Sequence, residues 1–386
     1  MQLAFLEPLI GRPGPWATVY AAPADNDEAG TKRRELAVRD VSRTLVEDGA
    51  DAATVRAVHD ALSSGSPADY PSGRAVFATE GEVVLSHRLS RPPQRQIVCW
   101  ATLPRLTPLL ELSGQDPVCL VAYVDRTGAD FEVRGAAGPE DAGQVEGRQW
   151  PVHRAATGDL SAPHFQVRVE NTWEHNAGEI AEALTGTFLD SGADLVVLVG
   201  DPRERRAVHD RLPDAVRDVT SETEHGGRAQ GSESPALEQD IARAARDHAR
   251  RGVARALDRF HAGRGGGEGR PEAVEGVPAV VEAAREHQID TLLICPDGPD
   301  LGRDTWVGAE PDQLAVRRTE ARALGEREPV AARADDALLR SAAATSADVL
   351  IVPANAAEAV RQGTADSPAG GLGALLRWTH EPAASA

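Results

Sequence analysis

A continuous apolar run at residues 194–200 constrains the fold more than any other stretch of the chain. It reads Asp-Leu-Val-Val-Leu-Val-Gly, with no alternation between polar and apolar positions. A strand of this kind has to be covered on both faces, which is typical of the inner strands of α/β sheets. Asp201-Pro202 follows at once, and an Asp cap with proline in the first turn predicts a helix that extends to Leu212. The sequence therefore predicts an α/β fold.

Breaks in the pattern divide the chain of 386 residues into three predicted domains. Residues 1–114 are predicted to form an α+β domain, and residues 115–262 an α/β domain. A glycine-rich stretch at 263–271 neither follows a strand nor ends in Gly-Lys-Ser/Thr, so we interpret it as a flexible linker and not as a phosphate-binding loop. Residues 272–386 are predicted to form a second α/β unit.

Periodicity places the secondary structure within these domains. Alternating or continuous apolar runs predict strands, and apolar positions at helical spacing predict helices. The predicted strands are 16–20, 75–78, 83–85, 117–124, 129–133, 147–153, 194–200, 216–219, 291–296, 306–307, 348–353 and 372–378. The predicted helices are 31–62 with a break near Gly49, 100–112, 174–191, 201–212, 235–260, 273–287 and 330–344. Helices that alternate with strands predict packed α/β layers.

The overall charge limits the possible partners. The formal net charge is −19, which argues against non-specific binding to DNA or to an anionic membrane. A nucleic-acid site therefore requires a defined local patch, since charges act over about 10 Å at 0.1 M salt. No apolar run approaches the length of a membrane span, and we expect a cytoplasmic protein. The three cysteines lie far apart, so we expect packing residues and no metal site, and no motif predicts a cofactor.

Basic charge concentrates in one place in this acidic chain. The glycine tip loop (residues 222–234) runs straight into a predicted helix at 235–260. Arg243, Arg246 and Arg250 share one face of that helix, and Arg251, Arg255 and Arg259 form a second row. Arginine is the preferred side chain for bidentate phosphate contacts, which favours a surface for RNA phosphates. The alternatives are a solvated helix with paired charges and an ordinary flexible loop.

The order of these features resembles the archaeo-eukaryotic class I release factor and Pelota superfamily, and in particular its bacterial (actinobacterial) homologues. The residues that carry the resemblance are Pro-Val-Cys-Leu-Val-Ala-Tyr-Val-Asp-Arg at 117–126, Asn-Thr-Trp-Glu-His-Asn at 171–176, residues 194–205, and the tip with its helix. The resemblance implies an RNase H-like middle domain and an L7Ae/L30e-like C-terminal domain. It also implies a decoding-centre position for the first domain.

The superfamily includes Balon-like hibernation factors, which occupy the ribosomal A site with elongation factor Tu, and Vms/Ankzf-type peptidyl-tRNA hydrolases. The hydrolytic members carry a Gly-Gly-Gln tip. Here Gly226-Gly227 is followed by Arg228, and Gln230 comes two residues later. A displacement of about 1 Å can cost on the order of 100-fold in rate, so this spacing argues against inherited hydrolysis. Gln230 in a shifted register remains the one catalytic candidate.

Other basic positions are weaker candidates for ribosomal contacts. Arg203 and Arg205 lie at the start of the predicted helix 201–212, where a solvated face with internal ion pairs is the alternative. The first domain carries Lys32, Arg33, Arg34, Arg39 and Arg43 in one cluster and Arg88, Arg91 and Arg95 in another, each of which also fits an ordinary surface. His175 beside Glu174 and Glu179 fits a capping arrangement better than acid–base chemistry.

These observations and the resemblance together predict a ribosome-binding translation factor that occupies the A site as a hibernation or stress factor. The ribosome-binding residues predicted at the tip are His225, Gly226, Gly227, Arg228 and Gln230, and those outside it are Arg243, Arg246, Arg250, Arg203 and Arg205. The ribosome is the expected partner, with elongation factor Tu and tRNA as further candidates. The alternative functions are peptidyl-tRNA hydrolysis for ribosome rescue and small-molecule binding by an α/β stress protein.

Overall fold

Helices and strands alternate along the chain in the computed structural model, which describes residues 3–23, 28–64, 70–113, 117–135, 138–146, 162–228, 234–264, 271–353 and 367–377. The strands are β1 (Trp16–Ala21), β2 (Arg74–Thr79), β3 (Glu82–Arg88), β4 (Ile97–Ala101), β5 (Cys119–Asp125), β6 (Gly128–Gly135), β7 (Gly138–Glu146), β8 (Leu195–Gly200), β9 (Thr220–Thr223), β10 (Ala273–Glu275), β11 (Ile289–Ile294), β12 (Asp304–Val307), β13 (Leu314–Ala315), β14 (Val330–Arg333), β15 (Asp348–Ile351) and β16 (Leu372–Leu376). The helices are α1 (Glu7–Ile10), α2 (Glu28–Glu47), α3 (Ala52–Ser63), α4 (Thr107–Leu112), α5 (Ala162–Ser191), α6 (Pro202–His209), α7 (Asp214–Arg217), α8 (Pro235–Arg264), α9 (Val277–Arg285), α10 (Arg318–Ala323) and α11 (Ala334–Ala344). The predicted mixed α/β class is confirmed.

Contacts within the chain define two compact units. One is Asp116–Gly252, and the other combines Met1–Gln115 with Val253–Ala386. The first lies within the range 115–262 predicted for the middle domain, and the bounds of that domain stay a prediction. The division of the remainder into a first and a third domain, with a linker at 263–271, stays a prediction.

The unit Asp116–Gly252 is built on a five-stranded sheet with the strand order β7-β6-β5-β8-β9. The strands β5, β6 and β7 form an antiparallel meander, whereas β5, β8 and β9 run parallel. Parallel strands need a crossover, and the helices α5 and α6–α7 supply the two crossovers. An antiparallel meander extended by two parallel strands fits the RNase H-like architecture expected for this region.

Both faces of this sheet are covered, as the apolar run of β8 predicts. Val196 and Leu198 pack with Ile180 and Leu184 of α5 on one face. The residues that alternate with them, such as Val197 and Val199, pack on the other face with apolar side chains of α8. All six residues of β8 are buried. The sheet therefore holds the start of α8 in a defined position.

The second unit contains three smaller sheets, with the orders β3-β2-β1-β4, β10-β16-β11-β15 and β13-β12-β14. The helices α2 and α3 cover one face of the first of these sheets through apolar residues such as Val41 and Val58. The last turns of α8 pack here through Leu257 and Phe260, against neighbours that include Cys295 and Leu293. The predicted helix 235–260 thus buries apolar residues in each unit: Leu237, Ile241 and Ala244 in one, and Val253, Leu257 and Phe260 in the other.

Most predicted elements are confirmed, but four positions are wrong. The residues predicted as a strand at 216–219 end a short helix, α7, and the strand β9 follows four residues later than predicted. The predicted helices 273–287 and 330–344 each begin with a short strand, β10 or β14, and the predicted helix 100–112 begins only at Thr107, in α4, because its first two residues belong to β4. The predicted strand 147–153 lies outside the described residues. Among the described helices, none is long and apolar enough to span a membrane.

Two of the three cysteines behave as the expected packing residues. Cys119 and Cys295 are buried, Cys99 is half-buried, and all three are free thiols. Burial raises the pKa of Cys119 to about 12 and that of Cys295 to about 11. Since the thiolate is the reactive form, these two side chains are poor nucleophiles at neutral pH.

A buried carboxylate pair lies at the start of α11. Asp335 is fully buried and accepts two hydrogen bonds from Arg333, at 3.0 and 3.2 Å. It also accepts one at 2.9 Å from the hydroxyl of Thr107, and the Arg105 guanidinium lies 3.5 Å away. Asp336 lies beside it, and burial, together with the charge of Asp335, raises the pKa of Asp336 well above the ordinary carboxyl value. Burial also raises the pKa of Asp335, but Arg105 and the hydrogen bond from Thr107 favour its charged form, so Asp335 is the member of the pair that carries the negative charge.

This arrangement predicts a pH-dependent contribution to stability from Asp336. A carboxyl group whose pKa is raised by folding stabilises the fold fully below its unfolded pKa, about 3.9, and loses that contribution as pH rises through the folded pKa. Asp336→Asn cannot ionise, and its amide oxygen can still accept the backbone hydrogen bond of Leu106. We expect its free energy of unfolding to increase relative to the wild-type value between pH 5 and pH 8, measured by urea denaturation. A constant difference between the two proteins, like that expected for the exposed Asp304→Asn, would contradict this assignment.

Candidate functional site

The tip loop connects the edge strand β9 to α8 within the unit Asp116–Gly252. The structure describes residues 224–228 of this loop and the chain again from Ser234. Gln230, the one catalytic candidate from the sequence, lies outside the described residues. The described part contains the Gly226-Gly227-Arg228 sequence.

Gly226 holds the loop close to its own domain. Its φ angle is +102°, in the region that favours glycine. A Cβ atom at this position would lie 2.9 Å from a methyl carbon of Leu237 and 3.1 Å from one of Val199. Gly227 has open space around its Cα, with no non-neighbouring atom within 4 Å of an added Cβ. The first glycine is thus required for packing against the sheet and α8, whereas a side chain at the second would meet no steric obstacle.

Arg228 is folded back onto the turn between β5 and β6. Its Nη2 lies 2.8 Å from a carboxylate oxygen of Asp130, and its Nη1 lies 3.1 Å from Asp125 and 3.2 Å from the hydroxyl of Thr127. Only 16% of the side chain is exposed. The hydrogen bond with Asp130 raises the pKa of Arg228, so the guanidinium charge is fixed. The side chain that follows Gly226-Gly227 is therefore engaged in intramolecular ion pairs.

The base of the loop is held by Asp240, one turn into α8. Its carboxylate lies 2.7 Å from Nδ1 of His225, and it also accepts a hydrogen bond from the hydroxyl of Thr223 and an ion pair from Arg243. These partners, above all His225, lower the pKa of Asp240 below its ordinary value. A carboxylate at Nδ1 directs Nε2 of the imidazole away from Asp240. His225 is therefore a positioned and half-exposed side chain.

A second ion-pair network fixes the first turn of α8 to the sheet. Arg134 on β6 donates to both carboxylate oxygens of Glu238, at 2.7 and 2.8 Å, and to Glu132 at 2.9 Å. It also donates to the hydroxyl of Tyr123, whose own donation to Glu132 spans 2.9 Å. Burial raises the pKa of Tyr123 to about 12. The first turn of α8 is thus attached to the same sheet that holds the guanidinium of Arg228.

The predicted arginine row of α8 faces the solvent. Arg243 and Arg250 are 66% and 68% exposed, and Arg246 is also exposed. Arg243 pairs with Asp240, Arg250 lies 3.7 Å from Asp247, and Arg246 donates to a backbone carbonyl of its own helix. Exposed pairs of this kind contribute little to stability, about 0–1 kcal/mol. These guanidiniums are therefore accessible to an external anion at small cost.

The other predicted contacts differ in accessibility. Arg203 is exposed at the start of α6, but Arg205 is buried and its Nε lies 3.5 Å from Glu222. In the first cluster of residues 1–114, Arg34 donates to the carbonyl oxygens of Leu62 and Ser64 at the end of α3. Such contacts match the positive charge to the carbonyl end of a helix. Of Arg203, Arg205 and Arg34, only Arg203 is exposed like the row of α8.

Several remaining candidates are also engaged locally. Arg43 pairs with Asp40 and Glu47 along α2, and Arg91 donates to the carbonyl oxygen of Glu111. His175 lies 3.2 Å from Glu179 on α5, the local pairing that the sequence favoured over acid–base chemistry. Sequence reasoning missed Asp125, Asp130, Arg134 and Asp240, which hold the tip. The only local signal for them was a polar residue at the end of a predicted strand or in the first turn of a predicted helix.

Residues 118–266 match the family model described as bacterial archaeo-eukaryotic release factor family 2. The chain is release factor-like over this segment. The matched range contains β5 to α8, the tip, and nearly all the residues that carried the resemblance seen in the sequence. The resemblance to bacterial homologues of release factors, seen in the sequence, is therefore confirmed over residues 118–266.

The relatives that match nearly the whole chain share less than a third of its residues. Uncharacterized proteins of Mycobacterium tuberculosis strains CDC 1551 and H37Rv are each 28% identical over 373 residues, which cover 96% of this chain and 95% of theirs. An archaeal translation termination factor is 16% identical with a TM-score of 0.26, over 97% of this chain and 96% of its own. The Pelota protein of Archaeoglobus fulgidus is 15% identical with a TM-score of 0.36, over 79% and 80% of the two chains. These TM-scores are too low to establish a shared arrangement of domains.

Proposed function

We propose that this release factor-like protein binds the ribosome and occupies the A site as a hibernation or stress factor. The observation that carries the proposal is the solvent-exposed row Arg243, Arg246 and Arg250 on the helix that follows the tip. In a chain with a net charge of −19, such a row is a local concentration of positive charge on one helix face. Planar guanidiniums bind phosphate oxygens in a bidentate manner, and ribosomal RNA supplies phosphates densely.

The tip favours occupation of the site over hydrolysis. Arg228 stands where the resemblance places glutamine, and its guanidinium is paired with Asp125 and Asp130. A guanidinium has no acceptor atom and a fixed positive charge, so it cannot act as a general base. Peptidyl-tRNA hydrolysis through Gln230 is the alternative function, and elongation factor Tu and tRNA are proposed as further partners. The proposal places the protein in the cytoplasm with the ribosome.

A sedimentation experiment tests ribosome binding. The purified protein is expected to migrate with ribosomes in a sucrose gradient and to be released as salt increases. If three arginine–phosphate contacts form, the logarithm of the binding constant falls with the logarithm of salt concentration with a slope of about −2 to −3. Binding that is independent of salt, or absence from the ribosome fractions at low salt, would contradict the proposal.

A release assay separates the two functions. Ribosomes that carry an N-acetylated aminoacyl-tRNA in the P site are incubated with the protein, and the released N-acetylated amino acid is measured. The proposed occupant binds without releasing the amino acid. Release that is lost in Gln230→Ala, with binding retained, would instead establish the hydrolase.

A further inference from the structure

The acidic turn between β5 and β6 is a binding site for a guanidinium. Asp125 accepts hydrogen bonds from the backbone amides of Thr127 and Gly128, at 2.6 and 3.0 Å, which fixes the turn and aims its carboxylate. Asp130 follows on β6, and its carboxylate meets the same guanidinium from the second side. We call the side chains of Asp125, Thr127 and Asp130 the cradle. Arg228 fills it.

The turn is also shaped to leave room for this occupant. A Cβ at Gly128 would lie 3.1 Å from Nη1 of Arg228 and only 2.1 Å from the carbonyl oxygen of Val145. Any larger side chain at this position would therefore press on both β7 and the guanidinium. The cradle thus depends on glycine at this position as well as on two carboxylates.

The contacts of Arg228 with the cradle leave one of its donors unpaired and leave the two carboxylates partly exposed. The buried Nε of Arg228 has no hydrogen-bond partner among the described residues. The carboxylates of Asp125 and Asp130 remain about 40% exposed, at 41% and 39%. A buried donor without a partner costs free energy, and partly exposed ion pairs are weakened by solvent. The guanidinium can therefore be exchanged from this site to a better acceptor, such as a phosphate with several oxygens.

We propose that Arg228 is a latch, which holds the tip against the cradle in the free protein and passes to RNA phosphate when the protein binds the ribosome. The second half of this inference rests on the proposed function, whereas the first half concerns the free protein alone. Leaving the cradle costs part of the binding free energy. Mutation of Arg228 and mutation of its partner Asp130 should consequently change ribosome binding in opposite directions.

Hydrogen exchange of the full chain tests the latch without any ligand. Peptides that contain residues 224–228 are followed by mass spectrometry in Asp130→Asn and Arg228→Ala, with the exposed Asp190→Asn of α5 as the matched control. Asp130→Asn weakens one charge-assisted hydrogen bond and Arg228→Ala removes all three hydrogen bonds of the cradle, so each variant is expected to speed exchange of the tip by about tenfold or more and the control to be unchanged. Circular dichroism checks that all three remain folded. Wild-type exchange of the tip in Asp130→Asn would overturn the latch.

Ribosome binding tests the transfer. Asp130→Asn removes the competing carboxylate and is expected to bind several-fold more tightly than the wild type at low salt. Arg228→Ala opens the tip equally but lacks the transferred guanidinium, and is expected to bind about tenfold more weakly. Shifts of the two variants in the same direction would overturn the transfer. Failure of the wild type to bind would instead reject the proposed function, and the exchange experiment would still decide the latch.

Discussion

Replacing Arg243, Arg246 and Arg250 together with glutamate is expected to weaken ribosome binding by at least about 100-fold. Each arginine that meets a phosphate contributes a charge-assisted hydrogen bond worth about 1.5 kcal/mol or more. Three such losses exceed two factors of ten at about 1.4 kcal/mol per factor, and the new carboxylates add repulsion. All three side chains are exposed, so the fold should be retained. Co-sedimentation at fixed low salt measures the effect, and the thermal midpoint checks folding.

A matched variant separates the local row from the overall charge. Arg303, Arg322 and Arg327 are exposed in residues 271–353, and their replacement with glutamate changes the net charge by the same amount. This control keeps the arginine row of α8 and is expected to sediment with ribosomes within about twofold of the wild type, since the proposed phosphate contacts are retained. Equal losses in the two triple variants would show that net charge, and not the face of α8, governs binding.

Those parts of the fold in which local pattern and burial agree are predicted well from the sequence. The run at β8 has no polar position to expose, and the structure buries it on both faces. The hairpin between β2 and β3 turns at Glu80 and Gly81, which both have positive φ, as a two-residue turn requires. The helix α8 buries Leu237, Ile241 and Ala244 at helical spacing and exposes its arginines.

Elements that are stabilised by pairing with other elements are not predicted from the local sequence pattern. The strand β7 reads Gly-Pro-Glu-Asp-Ala-Gly-Gln-Val-Glu, which has low strand propensity. It forms because it pairs along the length of β6, with an irregularity near Phe131. Residues 216–219 were predicted as a strand, but α7 extends to Arg217, whose guanidinium donates to the carbonyl oxygens of His209 and Leu212. Side-chain and strand-pairing contacts that the local pattern does not contain thus accompany both differences.

The candidate site likewise contains one part that the local sequence pattern predicts and one part that it does not. The exposed arginine row was visible because its spacing is local. The cradle was not visible, because Asp130 and Arg228 meet only after β6 and β9 join one sheet. The sequence placed Arg228 among the residues offered to RNA, whereas the structure places its guanidinium in an intramolecular ion pair. Whether a charge is presented or paired thus depends on partners far away in the chain.

Asp335→Ala is expected to lower the free energy of unfolding by about 3 kcal/mol. The mutation removes the acceptor of the two hydrogen bonds from Arg333 and of the one from Thr107, and leaves Arg105 without its nearest carboxylate. Removing one partner of a buried ion pair costs about 3–5 kcal/mol, because the other charge stays buried. Part of this cost is offset here, since Asp336 can ionise and lies 3.7 Å from each guanidinium. Urea denaturation of the full chain at pH 7 measures the difference.

The exposed Asp304→Ala is the matched control, expected to change stability by no more than about 0.5 kcal/mol. Asp335→Asn keeps the shape and one acceptor oxygen, so its loss should lie between those of the control and the alanine variant. This order follows from the charge assigned to Asp335, since a neutral carboxylic acid at this position would be replaced by asparagine at little cost. If Asp336→Asn were the more damaging of the two amide substitutions, the negative charge would belong to Asp336 and the assignment would be reversed.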